Sequence, residues 1–512
     1  MVKYSIASIV SVCLFALYPS LTHAQNDVFC SEIDSILKER NVRFPFGVAS
    51  GDPRYTSVVL WTAVYTDRTD EITVDWELAS DSLFTQPVSK GAAFARSENG
   101  FSVKVLVENL VQGRTYYYRF RFDNQYSPTG RTRTAANQAN SLSFGVVSCS
   151  SFSWGYFNAY AALAKEPNLQ AVIHLGDYIY EYGPEKYGNP KLNRKHIPKH
   201  EIITLQDYRS RYAQYRLDAD LQEVHRLHPF ISIWDDHEIA NDAYKDGALN
   251  HQPETEGEWG IRNGIARKAY FEWMPLADND GLSIRRALSF GNLASLFMLD
   301  GRLEGRSKQA NGIDDVTLAD TSRSMLGKQQ ADWLIQSVAE SDAVWKIIGN
   351  QVVFSEYTVP PQMGNYGKTT DMWNGYPAER NRILQSWKNK GVKNVLVLTG
   401  DMHCSFAIDL RYQRNVASSS FGAEWVTTSV TSSNLDEYSK RWKVRIAERL
   451  FKKKKYNPHL SYCNLRDHGY LRIDIDTEKA VGSWKFVDIV KPNQAKSKVA
   501  ERVTQKRYAG SD

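Results

Sequence analysis

The chain has 512 residues, 63 Lys and Arg against 58 Asp and Glu, and a formal charge of +5 at pH 7. So small an excess, with both signs interspersed, excludes a specific nucleic-acid footprint, and 42% hydrophobic residues with 12% aromatics exclude a disordered chain. The length exceeds one ordinary core and implies about two to four domains.

Lys3 precedes an apolar run at residues 6–17, and Thr22-His23-Ala24 meets the small-residue requirement of signal peptidase. Residues 1–24 therefore read as a signal peptide, with Gln25 starting the mature chain and a linker segment over 25–41. No twin arginine precedes the run, so the general secretory route to the periplasm or the exterior is expected. Cys13 lies inside the run rather than after it, which speaks against a lipid-bearing cysteine. No later stretch reaches about 18 consecutive apolar residues, so no transmembrane span is expected. Cys30, Cys149, Cys404 and Cys463 are too few for a disulfide framework in so long a chain. A single pair among Cys30, Cys404 and Cys463 stays open, and spacing does not choose it.

Residues 42–137 read as a small β-sandwich. Segments at 57–62, 73–78 and 103–107 are rich in β-branched and aromatic residues, and turn signals such as Gly51-Asp52-Pro53 and Asn99-Gly100 bound them. The run from Leu110 to Phe120 resembles the corner leading into a late strand of an immunoglobulin- or fibronectin-like sandwich. A polar stretch at 127–140 marks the domain boundary. Over 138–490, apolar strands at 142–147, 171–175, 230–234, 294–299, 344–348 and 395–398 alternate with helical stretches at 156–165, 205–215, 261–273, 327–341 and 378–390. That alternation indicates an α/β fold whose sheets are covered by helices. Lys452 to Lys455 reads as a solvated helix end, the alternative being a contact with anionic lipid or polyanion, and residues 491–512 read as a loose tail.

Metal-ligand residue types recur just past these strands, where open α/β sheets bind ligands. Cys149 follows the first strand in Ser148-Cys149-Ser150, and taken alone a buried cysteine is most simply a small hydrophobe. Asp177 follows Gly176, whose missing β-carbon permits a turn that brings the carboxylate over the sheet edge, where two oxygens could bridge two cations. Tyr180 either points back to the same centre or joins Tyr178 and Tyr182 in a packing cluster. A phenolate ligand would call for a strongly Lewis-acidic ion. Asp235-Asp236-His237-Glu238, with Asn241 and Asp242 downstream, concentrates groups that are costly to bury without a compensating metal or substrate. Asp236 is the ligand candidate with Asp235 as the alternative, and His237 is the candidate to contact phosphate or protonate the leaving oxygen. Asn350 either supplies an amide ligand or holds its loop. In Gly400-Asp401-Met402-His403 a carboxylate and an imidazole two residues apart project to one side in extended geometry, so each could reach a metal, whereas Cys404 faces away. His196, His200, His225, His228, His251, His459 and His468 show no spacing that demands a metal. The whole reads as a two-metal centre for phosphoester hydrolysis.

The stretch from Phe44 to Pro53, Leu60-Trp61-Thr62, Ser148-Cys149-Ser150, the run from His174 to Glu181, Trp234-Asp235-Asp236-His237-Glu238 and Gly400-Asp401-Met402-His403 together resemble the alkaline phosphatase D (PhoD-like) family, over about residues 44–487. The Gly-Asp-x-x-Tyr segment also resembles purple acid phosphatases. The resemblance implies a four-layer α/β/β/α metallophosphatase sandwich behind a small β-sandwich. It implies Fe3+ held by Cys149, a bridging Asp177, Tyr180 and His403, and Ca2+ held by Asp177, Asp236 and Asp401, with Asp235, Asn241, Asp242 and Asn350 as further ligand candidates. The implied activity is hydrolysis of phosphodiesters, with phosphomonoesters second, by metal-activated water and no protein nucleophile. Family members are often exported folded through the twin-arginine route, and this sequence departs from that. Two contrasting readings are a catalytically silent surface protein whose sandwich binds a glycan, and a hydrolase acting on sulfate or phosphonate esters.

Overall fold

The computed structural model describes residues 28–279, 281–364 and 370–508. The expected signal peptide and Cys13 lie outside them.

Short runs that are buried on both faces become the parallel strands at the centre of the fold, as a sheet covered on each side requires. Ala171–His174 and Val395–Thr399 are buried throughout. Ser141–Val147, Ala171–His174 and Phe230–Ser232 run parallel, in register Val172↔Gly145 and Val172↔Phe230. They sit in a nine-stranded sheet with Lys498–Lys506, Lys479–Val487 and His468–Asp476 on one side and Val48–Gly51, Val58–Ala63 and Ser102–Val107 on the other. A seven-stranded sheet orders Arg286–Phe290, Ala294–Met298, Trp345–Asn350, Val395–Thr399, Ser420–Val426, Ser405–Arg411 and Leu460–Asn464. The two sheets face each other across one core: Val146, Ile173 and Trp484 from the first sheet cluster with Leu296, Leu396 and Trp425 from the second.

Helices Asn158–Ala164, Leu205–Arg216, Ala219–Leu227 and Trp259–Trp273 contribute to that same core, and Gly327–Glu340, Pro377–Asn389 and Arg441–Phe451 to a second core built on the seven-stranded sheet. The result is the expected four-layer α/β/β/α sandwich. Among the described residues no helix is long and apolar enough to cross a membrane.

A five-stranded sheet of Pro87–Ala95, Ile72–Ala79, Thr115–Phe122, Gln125–Tyr126 and Gly130–Arg133 packs through its own apolar cluster on Val58, Leu60 and Val103. At its corner the Tyr116 hydroxyl donates to the Val111 carbonyl at 3.1 Å and accepts the Val111 N–H at 2.9 Å, the corner geometry of immunoglobulin-like sandwiches. Strand pairing crosses the boundary read at 127–140. Gly51 pairs with Phe230, and the Asp52 N–H donates to the Phe230 carbonyl at 3.0 Å, so the sandwich's second sheet is an extension of the nine-stranded one. A β-carbon at Gly51 would lie 2.0 Å from the Pro275 carbonyl oxygen, so glycine is required at this junction.

The tail read as loose is a correction. Lys498–Lys506 forms an edge strand on Lys479–Val487, exposed or half-buried throughout and rich in charge, which is why apolar periodicity did not mark it. The basic run follows the helix Arg441–Phe451, with Lys452 at its C-cap. No disulfide links Cys30, Cys149, Cys404 and Cys463; the last three are buried thiols.

Candidate metal centre

Four segments leave their strands and converge. Cys149, Asp177, Asp401 and His403 all have positive φ, at 60°, 55°, 60° and 56°, and so does Asp242 at 56°. Left-handed backbone at so many non-glycine residues is costly and persists where surrounding structure enforces it. Glu238 is one enforcer: its carboxylate accepts the N–H groups of Asp177 at 3.0 Å, Tyr178 at 2.6 Å and Asp235 at 2.8 Å, tying two strand ends together. Gly176, at φ 101°, leaves no room for a side chain, since a β-carbon there would approach the Asp235 β-carbon to 2.4 Å.

On one side, the thiol of Cys149, a carboxylate oxygen of Asp177 and a ring nitrogen of His403 lie within 4.8 Å of one another. The Tyr180 hydroxyl donates to Asp177 Oδ2 at 2.9 Å and stands 3.3 Å from His403 Nε2. Tyr178, in contrast, belongs to the core, its hydroxyl 3.0 Å from His225 Nε2. His403 Nδ1 donates to the Ser433 carbonyl at 2.7 Å, which leaves the Nε2 lone pair facing Cys149 and Tyr180. Burial holds that imidazole neutral, with its pKa down at about 4.

On the other side, Asp235, Asp236 and Asp401 form a second group within 4.8 Å, and Asp177, Asp236 and His237 a third that joins the two. Arg302, fully buried, feeds this side with charge. Its Nε contacts Asp235, its Nη1 bonds both oxygens of Asp371 at 2.8 Å, and its Nη2 lies 3.6 Å from both Asp236 and Asp401. Burial opposes the charge on Asp236, but Arg302, His237 and the Asp242 N–H outweigh it and hold the pKa at about 2. Asp242 supplies that N–H at 2.6 Å, and Asn241 turns its own N–H to Glu181 at 2.9 Å. The Asn350 amide nitrogen bonds the Val352 carbonyl and its oxygen accepts the Trp373 indole N–H at 3.3 Å, contacts that hold its own loop.

His237 projects between the two groups. Its Nδ1 meets Glu181 Oε2 at 2.7 Å, and its ring lies 4.2 Å from the Tyr180 ring, centroid to centroid. Burial disfavours the imidazolium, but Glu181, Asp236 and Asp177 override it and raise the pKa well above 6.5.

The donors fit cations. Asp177 Oδ1 and Asp235 Oδ2 are buried without a hydrogen-bond partner. Burial pushes Asp177, Asp401, Cys149 and Tyr180 well above their ordinary pKa values, and neighbouring acidic groups add to the rise. A positive ion among them would reverse that effect. Sequence reasoning overlooked Glu181, Arg302, Asp371 and the loop bearing Ser433. Arg302 did carry a signal, because Asp300-Gly301-Arg302 follows the strand Ala294–Met298 just as the recognised motifs follow theirs.

Comparison with known proteins agrees with this geometry. Residues 144–484 match the family model of the PhoD-like phosphatases, and residues 31–136 that of the PhoD-like phosphatase N-terminal domain. Alkaline phosphatase D of Bacillus subtilis (strain 168) is 36% identical over 518 residues, covering 96% of this chain and 85% of that protein. A solved structure described as that of PhoD superposes with a TM-score of 0.82 at 34% identity, covering 91% of this chain and 90% of that one. The two facing sheets and the clustered ligands at their strand ends thus define a metal-dependent phosphoester hydrolase. The chain belongs to the PhoD-like phosphatases. This sets aside the silent glycan-binding reading.

Proposed function

We propose that this protein is an exported hydrolase of phosphodiesters, with phosphomonoesters as secondary substrates, working at an iron and calcium centre. The observation that carries the reading is the convergence of thiol, phenol, imidazole and carboxylate donors from Cys149, Tyr180, His403 and Asp177. Thiolate, phenolate and imidazole suit iron, and the all-oxygen set of Asp177, Asp236 and Asp401 suits calcium. Both adjacent aspartates group with Asp401; Asp236, which also groups with Asp177, is the first choice of ligand, and Asp235, held by Arg302 through one oxygen, keeps its unpartnered Oδ2 as the alternative. Asn241 and Asp242 act through backbone N–H groups, and Asn350 holds its loop.

Bound there, the two cations would neutralise phosphate charge and acidify a water. The protein's own groups do the rest. Arg302 contacts Asp235 and Asp371 directly and spreads positive charge toward Asp236 and Asp401. Glu181 fixes the Nδ1–H of His237, orients the ring and keeps it protonated, so that Nε2–H is available to the departing alkoxide. An alkoxide is a strongly basic, poor leaving group, which makes that proton worth supplying.

The test combines elemental analysis and visible absorption of the mature protein with hydrolysis of bis-p-nitrophenyl phosphate, with and without calcium. Bound iron with a charge-transfer band, lost together with activity in Cys149→Ala or Tyr180→Phe, is the expected result. A colourless protein that hydrolyses nothing after metal reconstitution would overturn the reading.

A further inference from the structure

The strand Ser420–Val426 runs into residues 427–434, a loop of hydroxyl and amide side chains apart from Val430, of which none is more than 5% exposed. Loops normally lie on the surface because their polar groups need water, so a buried polar loop must find its partners inside. Here several of them are the candidate iron ligands. The Ser432 N–H donates to the Cys149 carbonyl at 3.1 Å, and the Ser433 carbonyl accepts from His403 Nδ1. The Ser432 side chain reaches Tyr180: its Oγ lies 2.6 Å from the phenolic oxygen and accepts the Ser151 N–H at 3.2 Å.

Hydrogen counting assigns the donor. Tyr180 gives its own hydrogen to Asp177, so the Ser432 hydroxyl gives and the phenolic oxygen receives. On a metal the phenolate has no hydrogen to give, and Ser432 remains a donor to it. A hydrogen bond to an anionic oxygen is shorter and roughly twice as strong as a neutral one, and 2.6 Å is already at the short end for two oxygens.

We propose that Ser432 is a positioning residue of the metal centre: it holds the Tyr180 ring in place and withdraws electron density from the oxygen that Tyr180 presents to iron. The proposal rests on the iron reading above. No sequence motif pointed to Ser432, which lies 252 residues from Tyr180.

The experiment uses the full mature chain as wild type, Ser432→Ala and Ser432→Thr, each loaded with iron and calcium and assayed for metal content. Visible absorption and the reduction potential of the iron are then measured. Ser432→Ala is expected to move the charge-transfer band to longer wavelength and to lower the reduction potential, because the undamped phenolate donates more strongly to the ferric ion. Its iron affinity should nevertheless fall about 10–100-fold, because the Tyr180 ring is no longer held in place. Ser432→Thr, which keeps the hydroxyl, should restore all three, and iron lost from the alanine variant but retained by the threonine variant counts the same way. A band and potential unchanged in iron-loaded Ser432→Ala overturn the proposal, as does a threonine variant that behaves like alanine. Wild-type protein that binds no iron overturns the iron reading and this inference with it, so the wild-type spectrum separates the two failures.

Discussion

Replacing His237 with alanine tests whether this side chain delivers a proton or only touches phosphate. Its Nδ1 is committed to Glu181 at 2.7 Å, so Nε2 alone can serve the substrate, and the pKa raised by Glu181 keeps that nitrogen protonated at neutral pH. A positioned general acid is worth about 10²–10⁴-fold, which at about 1.36 kcal/mol per decade is about 2.7–5.4 kcal/mol of transition-state stabilisation. The gain depends on the leaving group. p-Nitrophenolate departs without a proton, so kcat/KM for a p-nitrophenyl diester should fall roughly tenfold or less, whereas a diester with an alkyl leaving group should lose the full roughly 10²–10⁴-fold. The assay is kcat/KM for both substrates on metal-loaded wild type and His237→Ala. Equal losses on the two would refute proton donation and leave His237 as a phosphate contact.

Glu181→Gln removes the carboxylate that holds the His237 pKa up, so the proton is lost at lower pH and the alkaline limb of the kcat/KM profile should move toward neutrality. A limb that stays in place would show that His237 does not set it. Arg302→Met strips the guanidinium from two buried carboxylates, Asp235 and Asp371, and should cost about 3–5 kcal/mol in metal-free urea unfolding. A loss below about 1 kcal/mol would mean that these carboxylates are not held as a charged network. Gly176→Ala would place a β-carbon 2.4 Å from that of Asp235 at φ 101°. It should lose about 2–5 kcal/mol of stability and much of its metal, and a variant of wild-type metal content and melting temperature would contradict the close approach.

Much of the fold was legible in the chain because central parallel strands are buried on both faces. Residues 171–175 and 395–398 had to be largely apolar runs, and the strands Ala171–His174 and Val395–Thr399 form there. The placement of ligand types immediately after those runs was legible for the same reason, since a strand end is a local feature of sequence. The Tyr116 corner was equally local, being closed over five residues. The antiparallel strands Ser405–Arg411, Leu460–Asn464 and Lys498–Lys506 were not recognised: two carry polar residues within their runs, and the third is an exposed edge with no apolar face.

By itself, then, the sequence determined the layered α/β architecture, the candidate ligands at the strand ends and the family resemblance, all of which are written in stretches of a few residues. Only the tertiary structure decided where those candidate ligands sit. It set Tyr180 in the centre and Tyr178 in the core, gave Asp235 to Arg302 and left Asp236 beside Asp177, and joined the sandwich to the catalytic sheet through Gly51 and Phe230. The physical reason is sequence distance. Arg302 meets Asp371 across 69 residues and Ser432 meets Tyr180 across 252, and no local periodicity encodes which buried charge or hydroxyl will find which partner once the two sheets close on each other.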